Sequence, residues 1–268
     1  MLHLLRIEWL KIKNYRTFWI LLAITLVSIP AFNYMLYNLM DNKFPKGPKG
    51  QSLLGSPFAF PEVWQTVSWN AGILFLIPAI LIITLTTNEF TYKTHRQNII
   101  DGWSRGQFIG VKLAEVLLLS VVATVFIILT ALGFGFIGNK APAGVSIWTG
   151  SRFVFFYFIQ ILSFSLIAFL LSILIKRAGL AMGVFFIYMI VEKIIVGVTH
   201  GIYKSNAADY LPEEVTSSLI PFPYIKSIIP PEQVARWERL IPVYLAIACV
   251  YILIYCVVTS RYFQKSDL

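Results

Sequence analysis

Charge is scarce in this sequence. Lys, Arg, Asp and Glu together make up 13% of its 268 residues, where a soluble domain carries roughly 25%. Hydrophobic residues make up 57% and the mean hydropathy is +0.73. A water-soluble fold of this length would expose large apolar patches, so bilayer is the natural solvent. No shift in composition marks a second domain, and residues 1–268 read as one membrane domain.

Cysteine and histidine are equally sparse. The two cysteines, Cys249 and Cys256, lie in one apolar run. On a helix they stand about 10 Å apart along the axis, beyond disulfide reach, and they read as packing residues. His3, His95 and His200 are scattered without metal-ligand spacing. The chain has no nucleophile elbow, no H-E-x-x-H, and no paired aspartates or Ser–His pair in its apolar runs. The stretch DNKFPKGPKGQS lacks the G-x-x-x-x-G-K-[ST] order of a phosphate-binding loop and reads as a flexible turn. Hydrolase, intramembrane protease and ATPase chemistry therefore have no residues here to carry them. Without an internal repeat the chain also differs from carriers built of duplicated halves. The first apolar run is too long for a cleavable signal.

What the chain does have is apolar length. A helix crosses the hydrocarbon core with about 20 residues. Six segments qualify: Phe18–Met40, Val63–Thr87, Phe108–Ile137, Phe153–Ile175, Leu180–Val198 and Val243–Ser260. Pro30, Pro78 and Pro242 are expected to kink or start helices. The fold class is all-α integral membrane, with six spans.

Net charge is +9, from 22 Lys and Arg against 13 Asp and Glu. The aromatics lie inside the apolar runs and do not interleave with basic residues, so nucleic acid is not expected as a partner. The cations cluster beside apolar runs, as expected for contact with lipid head groups. Arg6, Lys11, Lys13 and Arg16 precede the first span; Lys93, Arg96, Arg105 and Lys112 join the second to the third. Lys176 and Arg177 fill the fourth-to-fifth turn, while Arg261 and Lys265 follow the last span. The opposite loops are longer and hold Asp41, Glu62, Asp209, Glu213, Glu214, Glu232 and Glu238. Basic loops stay in the cytoplasm, so both termini are expected there.

Residues 1–16 precede the first span. Leu2, Leu5, Trp9 and Ile12 share one helical face, with Arg6, Lys13 and Arg16 towards the other. That pattern fits an amphipathic interfacial helix; an ordinary basic flank is the plainer alternative. Residues 201–241 mix prolines with apolar triplets, too long for a turn and too broken for a span. They read as short helices at the outer leaflet, with an ordinary external loop as the other reading.

Polar residues inside the spans are candidates for a pathway. Glu192 and Lys193 lie past the middle of the fifth span, where ionisable residues are functional candidates by default. A short or tilted helix would instead leave both near the outer interface, with the lysine snorkelling. Asn70 and Thr84 belong to the same group of candidates, although Ser and Thr in spans mostly bond their own helix or a neighbour.

The most informative stretch is NEFTYKTHRQNIIDGWSRGQFIGVK, beginning at Asn88. An acid ends the second span, a short segment with Ile99 and Ile100 follows, then a Gly-x-Ser-Arg turn, then a helix carrying Lys112. This resembles the membrane permeases of the ABC-2 type, an exporter class whose membrane subunits have six spans. Members typically show a Glu ending the second span, a Gly-Thr, a short amphipathic helix, a Pro-x-Ser-Arg turn and a Lys early in the third span. The matching positions here are Glu89, Thr94, the helix around His95 to Asp101, Ser104 with Arg105, and Lys112. Lys93 stands where the family usually has Gly, and Gly102 where Pro is common. The resemblance extends to the interfacial N-terminal helix, the broken segment before the sixth span and the short tail.

The resemblance implies that residues 88–107 form a coupling segment that docks on a separate ABC ATPase subunit. The residues expected at that contact are Glu89, Thr94, Arg96, Ile99, Ile100, Trp103 and Arg105. Buried aromatic, aliphatic and arginine anchors suit such an interface. It further implies a permease dimer, with itself or a sister chain, in a bacterial inner membrane. No cofactor is expected in this chain, with ATP and Mg2+ in the ATPase. A non-transporting membrane module paired with an ATPase is the alternative function, and a secondary carrier a weaker one.

Overall fold

The structure is a computed structural model that describes residues 2–43, 56–137, 146–224 and 230–265. Most of the DNKFPKGPKGQS turn lies outside the described residues. Among them there are ten α-helices and one short 3-10 turn. Helix α1 is Leu2–Lys13 and α2 is Arg16–Lys43. Next come α3 (Val63–Ile73), α4 (Leu76–Thr91), α5 (Thr94–Ile100) and α6 (Arg105–Ile137). Helix α7 is Arg152–Ile175 and α8 is Ala178–Gly201. A 3-10 turn at Ala207–Tyr210, then α9 (Pro212–Ser217) and α10 (Pro231–Lys265), complete the order.

Five helices are long and apolar enough to cross a membrane alone: α2, α6, α7, α8 and α10. Helices α3 and α4, bent by 49° to each other, together reach the same length and apolarity and make a sixth candidate when the pair is counted as one span. Pro78, the third residue of α4, has no N–H to give the Leu74 carbonyl four residues back, and its ring crowds that carbonyl. The Leu74 carbonyl takes the Ile77 N–H instead, at 3.1 Å. The second span expected from the sequence, Val63–Thr87, is therefore built of two half-helices. Pro30 and Pro242, by contrast, are carried inside α2 and α10.

Helix α7 is the central post. Two thirds (67%) of its most apolar window is buried, against 17–39% for the other four single-helix candidates. Its buried face divides the core in two. Towards one end Trp64, Phe134, Phe153, Tyr157 and Leu219 pack together. Towards the other Ile82, Phe108, Phe169, Phe185 and Phe263 do. On α6, Leu118, Val121, Val125 and Leu129 are exposed at helical spacing, a stripe suited to hydrocarbon.

One helix contact depends on a missing side chain. A Cβ on Gly135 of α6 would stand 2.4 Å from the ring of Phe60, so glycine lets the ring lie against the helix backbone.

The ends of the bundle are tied by specific contacts. At one end Arg105, opening α6, donates to the Gln264 carbonyl at the foot of α10 at 2.6 Å, and the Lys176 ammonium lies 5.6 Å from the Phe90 ring. Helix α1, α5, the α7–α8 turn and the end of α10 thus share this end, termed the α5 end. At the other, Arg152 pairs with Glu238 and Trp64 bonds the Ile147 carbonyl. That is the α9 end.

Residues 201–241, expected as short helices or an external loop before the last span, end inside a long helix. Among the described residues the 3-10 turn and α9 are the short helices there; α10 starts at Pro231 and runs unbroken for 35 residues. Proline suits the first helical position because the N–H it lacks has no intrahelical acceptor there.

Candidate functional site

The densest polar chemistry lies at the α5 end. The loop between α4 and α6 makes two sharp reversals. Lys93 takes a left-handed φ of 55° just before α5, and Gly102 a φ of 94° just after it. Lys93 is the position where the family pattern has glycine, the residue that adopts such a φ without steric penalty. Ser104 then caps α6. Its Oγ accepts the Gln107 N–H at 3.1 Å while Gln107 Oε1 accepts the Ser104 N–H at 2.9 Å. This reciprocal pair is a capping box, and it explains a Ser directly before the Arg that opens α6.

Helix α5 is anchored through its inner face. His95 and Asn98 are buried. The His95 Nδ1–H donates to the Glu89 carbonyl at 2.7 Å, and Asn98 Oδ1 accepts from Lys11 of α1 at 2.9 Å. The outer face carries exposed Arg96 and Ile100 and a half-buried Ile99. Ile100 is 77% exposed, an unusual position for an isoleucine on a short polar helix.

Behind α5 lies a buried ion cluster. Lys112 of α6 is 3% exposed. Its ammonium lies 3.0 Å from Glu89 Oε1 of α4 and 3.1 Å from Glu115 Oε2 on its own helix, and it also bonds Glu8 of α1. Lys11 closes the group, 3.2 Å from Glu8 Oε2 and 3.9 Å from Glu89 Oε1. The Thr94 hydroxyl donates to Glu89 Oε2. Three carboxylates and two ammoniums thus join α1, α4, α5 and α6. Charges out of water are tolerated when paired and hydrogen-bonded in this way, and removing one partner strands the others.

The sequence-predicted contact residues therefore divide. Arg96, Ile99 and Ile100 present surface. Glu89 and Trp103 do not: Glu89 is 6% exposed within the ion cluster, and Trp103 is 8% exposed with the Lys11 ammonium 5.8 Å from its ring. Glu89 stands near the end of α4, and the buried Lys112 of α6 draws its carboxylate inward. Thr94 is half-buried and bonded to Glu89, and Arg105 is bonded to Gln264.

Glu8 and Glu115 join the cluster beyond the expected site residues, as does Lys11, which the sequence marks only as part of the basic flank of the first span. The signal existed for two of them. Glu8 sits between Leu5 and Ile12 on the apolar face of α1, and Glu115 is an acid inside an apolar run, three residues from Lys112.

The remaining candidates lie elsewhere. Asn70 is fully buried. Its Nδ2 donates to Asn33 Oδ1 of α2 at 2.8 Å and its Oδ1 accepts from the Tyr224 hydroxyl at 2.9 Å, so it clamps α2, α3 and the turn before α10. Thr84 bonds the Ile80 carbonyl of its own helix at 2.8 Å. Glu192 is buried at the α9 end. Its Oε1 accepts the Glu213 and Glu214 N–H groups at 2.6 and 3.0 Å, holding the start of α9. Lys193 pairs with Glu213 at 3.2 Å and Glu214 at 2.9 Å, not with its neighbour Glu192. Among the described residues no group of His, Cys, Asp and Glu could hold a metal ion.

A bundle of apolar helices with one ion cluster buried between α1, α4 and α6 defines a multi-pass membrane protein in which those charged side chains hold helices together. Compared with known families, residues 4–192 match the family described as ABC-2 family transporter protein. The chain belongs to that family, and it is a permease, the membrane component of an ABC transporter. The match runs from α1 into α8 and so contains the ion cluster and α5. No curated protein matches the chain.

Proposed function

We infer that the chain is the membrane subunit of an ATP-driven exporter, and that α5 is the element on which a separate ABC ATPase subunit docks. The observation that carries this reading is the two-faced character of α5. Its inner face is locked to α1 and α4 through Asn98 and His95, while Arg96 and Ile100 stand exposed. An exposed isoleucine beside an arginine is the kind of anchor that protein interfaces bury.

The ion cluster supplies the mechanical link. A push on α5 reaches α4 through Thr94 and His95, α6 through Glu89 and Lys112, and α1 through Asn98 and Lys11. In this reading the α5 end is cytoplasmic. Two permeases and two ATPases form the working unit in a bacterial inner membrane, and ATP-driven closure of the ATPases rocks the spans between access states.

The test is co-purification with the cognate ATPase and ATP turnover in lipid. Arg96→Ala and Ile100→Ala are expected to leave the permease inserted while weakening association. Truncating an interface anchor costs on the order of 2 kcal/mol, about thirtyfold in affinity. Wild-type association and turnover in the double variant would end this reading.

A further inference from the structure

At the α9 end, a cavity of about 290 Å3 opens where the second span breaks. Trp69 and Gly72 of α3, Phe75 between the two half-helices, Gln160 and Phe164 of α7, and Glu213 of α9 line it. Its size is near the lower end of ordinary ligand pockets. Trp69, Phe75, Phe164, Ile73 and Ile220 make much of the wall apolar, so a bare hydrated ion is a poor match.

Its polar atoms are unbalanced in one direction. Gln160 is 6% exposed and Glu213 4%. The Gln160 amide donates to Ser217 Oγ at 3.4 Å, yet its Oε1 has no partner, and neither does Glu213 Oε2. Both unpartnered atoms are acceptors. Buried acceptors left unmade are costly, so the occupant they fit brings N–H or O–H donors.

Charge points the same way. Lys193, on the rim, is the ammonium paired with Glu213 and Glu214, and Glu192 adds a third carboxylate beside them. Two acids thus pair with one cation, and the third lies beside Glu213. Gly72 lets the Gln160 amide lie close against α3, because a Cβ there would stand 2.8 Å from Gln160 Oε1 and push the amide away.

We propose that this cavity binds a small organic ammonium, its N–H groups on Gln160 Oε1 and Glu213 Oε2 and its apolar part against Trp69, Phe75 and Phe164. Aromatic faces add attraction for such a cation. The site is independent of the ATPase docking reading, since it lies at the opposite end of the bundle.

The experiment uses the full chain in lipid nanodiscs at pH 8, with three probes of one shape: 2-phenylethylammonium, 2-phenylethanol and phenylacetate. Binding is read by calorimetry. At that pH Glu213, whose carboxyl burial pushes up to about 7, is ionised. The ammonium is expected to bind saturably, and at least tenfold more tightly than the alcohol or the carboxylate. Gln160→Leu and Gly72→Ala should each weaken it at least tenfold. Equal binding of the three probes, or no saturable binding of the ammonium, overturns the proposal, and the comparison on the unaltered chain needs no variant to fold.

Discussion

Lys112 of α6 and Glu89 of α4 lie 3.0 Å apart, nitrogen to oxygen, with both side chains out of solvent. Each belongs to a group of five charges drawn from three helices. Lys112→Met is expected to destabilise the protein by about 3–5 kcal/mol, since three carboxylates lose their shared ammonium. Glu89→Gln added to Lys112→Met should recover part of that loss, because one stranded charge is removed. Thermal unfolding of the single and double variants in detergent checks both. Additive losses would mean the two residues are not coupled.

Lys93 is exposed and left-handed, so its side chain contributes little while its Cβ is strained. Lys93→Gly is expected to raise stability by about 1 kcal/mol, less the entropy that glycine loses on folding. Lys93→Val should lower it. The measurement is the melting temperature of the three proteins side by side. A lower melting temperature for the glycine variant would show that the strain argument fails.

Burial pushes the Glu213 carboxyl up to about 7, against the pull of Lys193 and with the Glu192 and Glu214 carboxylates adding to it. A carboxyl raised in the folded state binds its proton more tightly folded than unfolded. Its contribution to stability is therefore full below about 4.5, the ordinary value, and is lost as pH rises through about 7. Glu213→Gln should flatten the stability profile between those limits. An unchanged slope in the variant would place the titration elsewhere.

Orientation is open to direct labelling. Cysteines at Trp148 and Asn206, exposed at the α9 end, are expected to react with an impermeant reagent outside the cell. Cysteines at Gln97 and Lys265, exposed at the α5 end, are not. The reverse pattern would put the α5 end outside and remove the ATPase from reach.

Much of this fold is legible in the chain, and the places where it is not have physical causes. Apolar length locates the five single-helix candidates and the bent α3–α4 pair, and Ser104 with Gln107 announces the start of α6. The start of α10 was hidden because Pro230–Pro231 and the charged residues after them look like loop, although proline at a first helical position is a start signal. The ion cluster was hidden more deeply. Glu8 and Lys112 stand 104 positions apart in the chain, and only packing shows that the acid on α1 faces the lysine on α6. The same distance hides that Glu89, expected at the ATPase contact, is buried against Lys112.

The account rests most heavily on α5 as the docking element, and one crosslinking measurement reaches it directly. A photo-reactive amino acid is placed at Ile100, 77% exposed on α5, and in a second protein at Tyr203, 73% exposed at the far end. Each is co-expressed with the cognate ATPase and irradiated in membranes. The account predicts a permease–ATPase adduct from position 100 and none from position 203. An adduct from position 203, or none from position 100 while the complex still co-purifies, would contradict it.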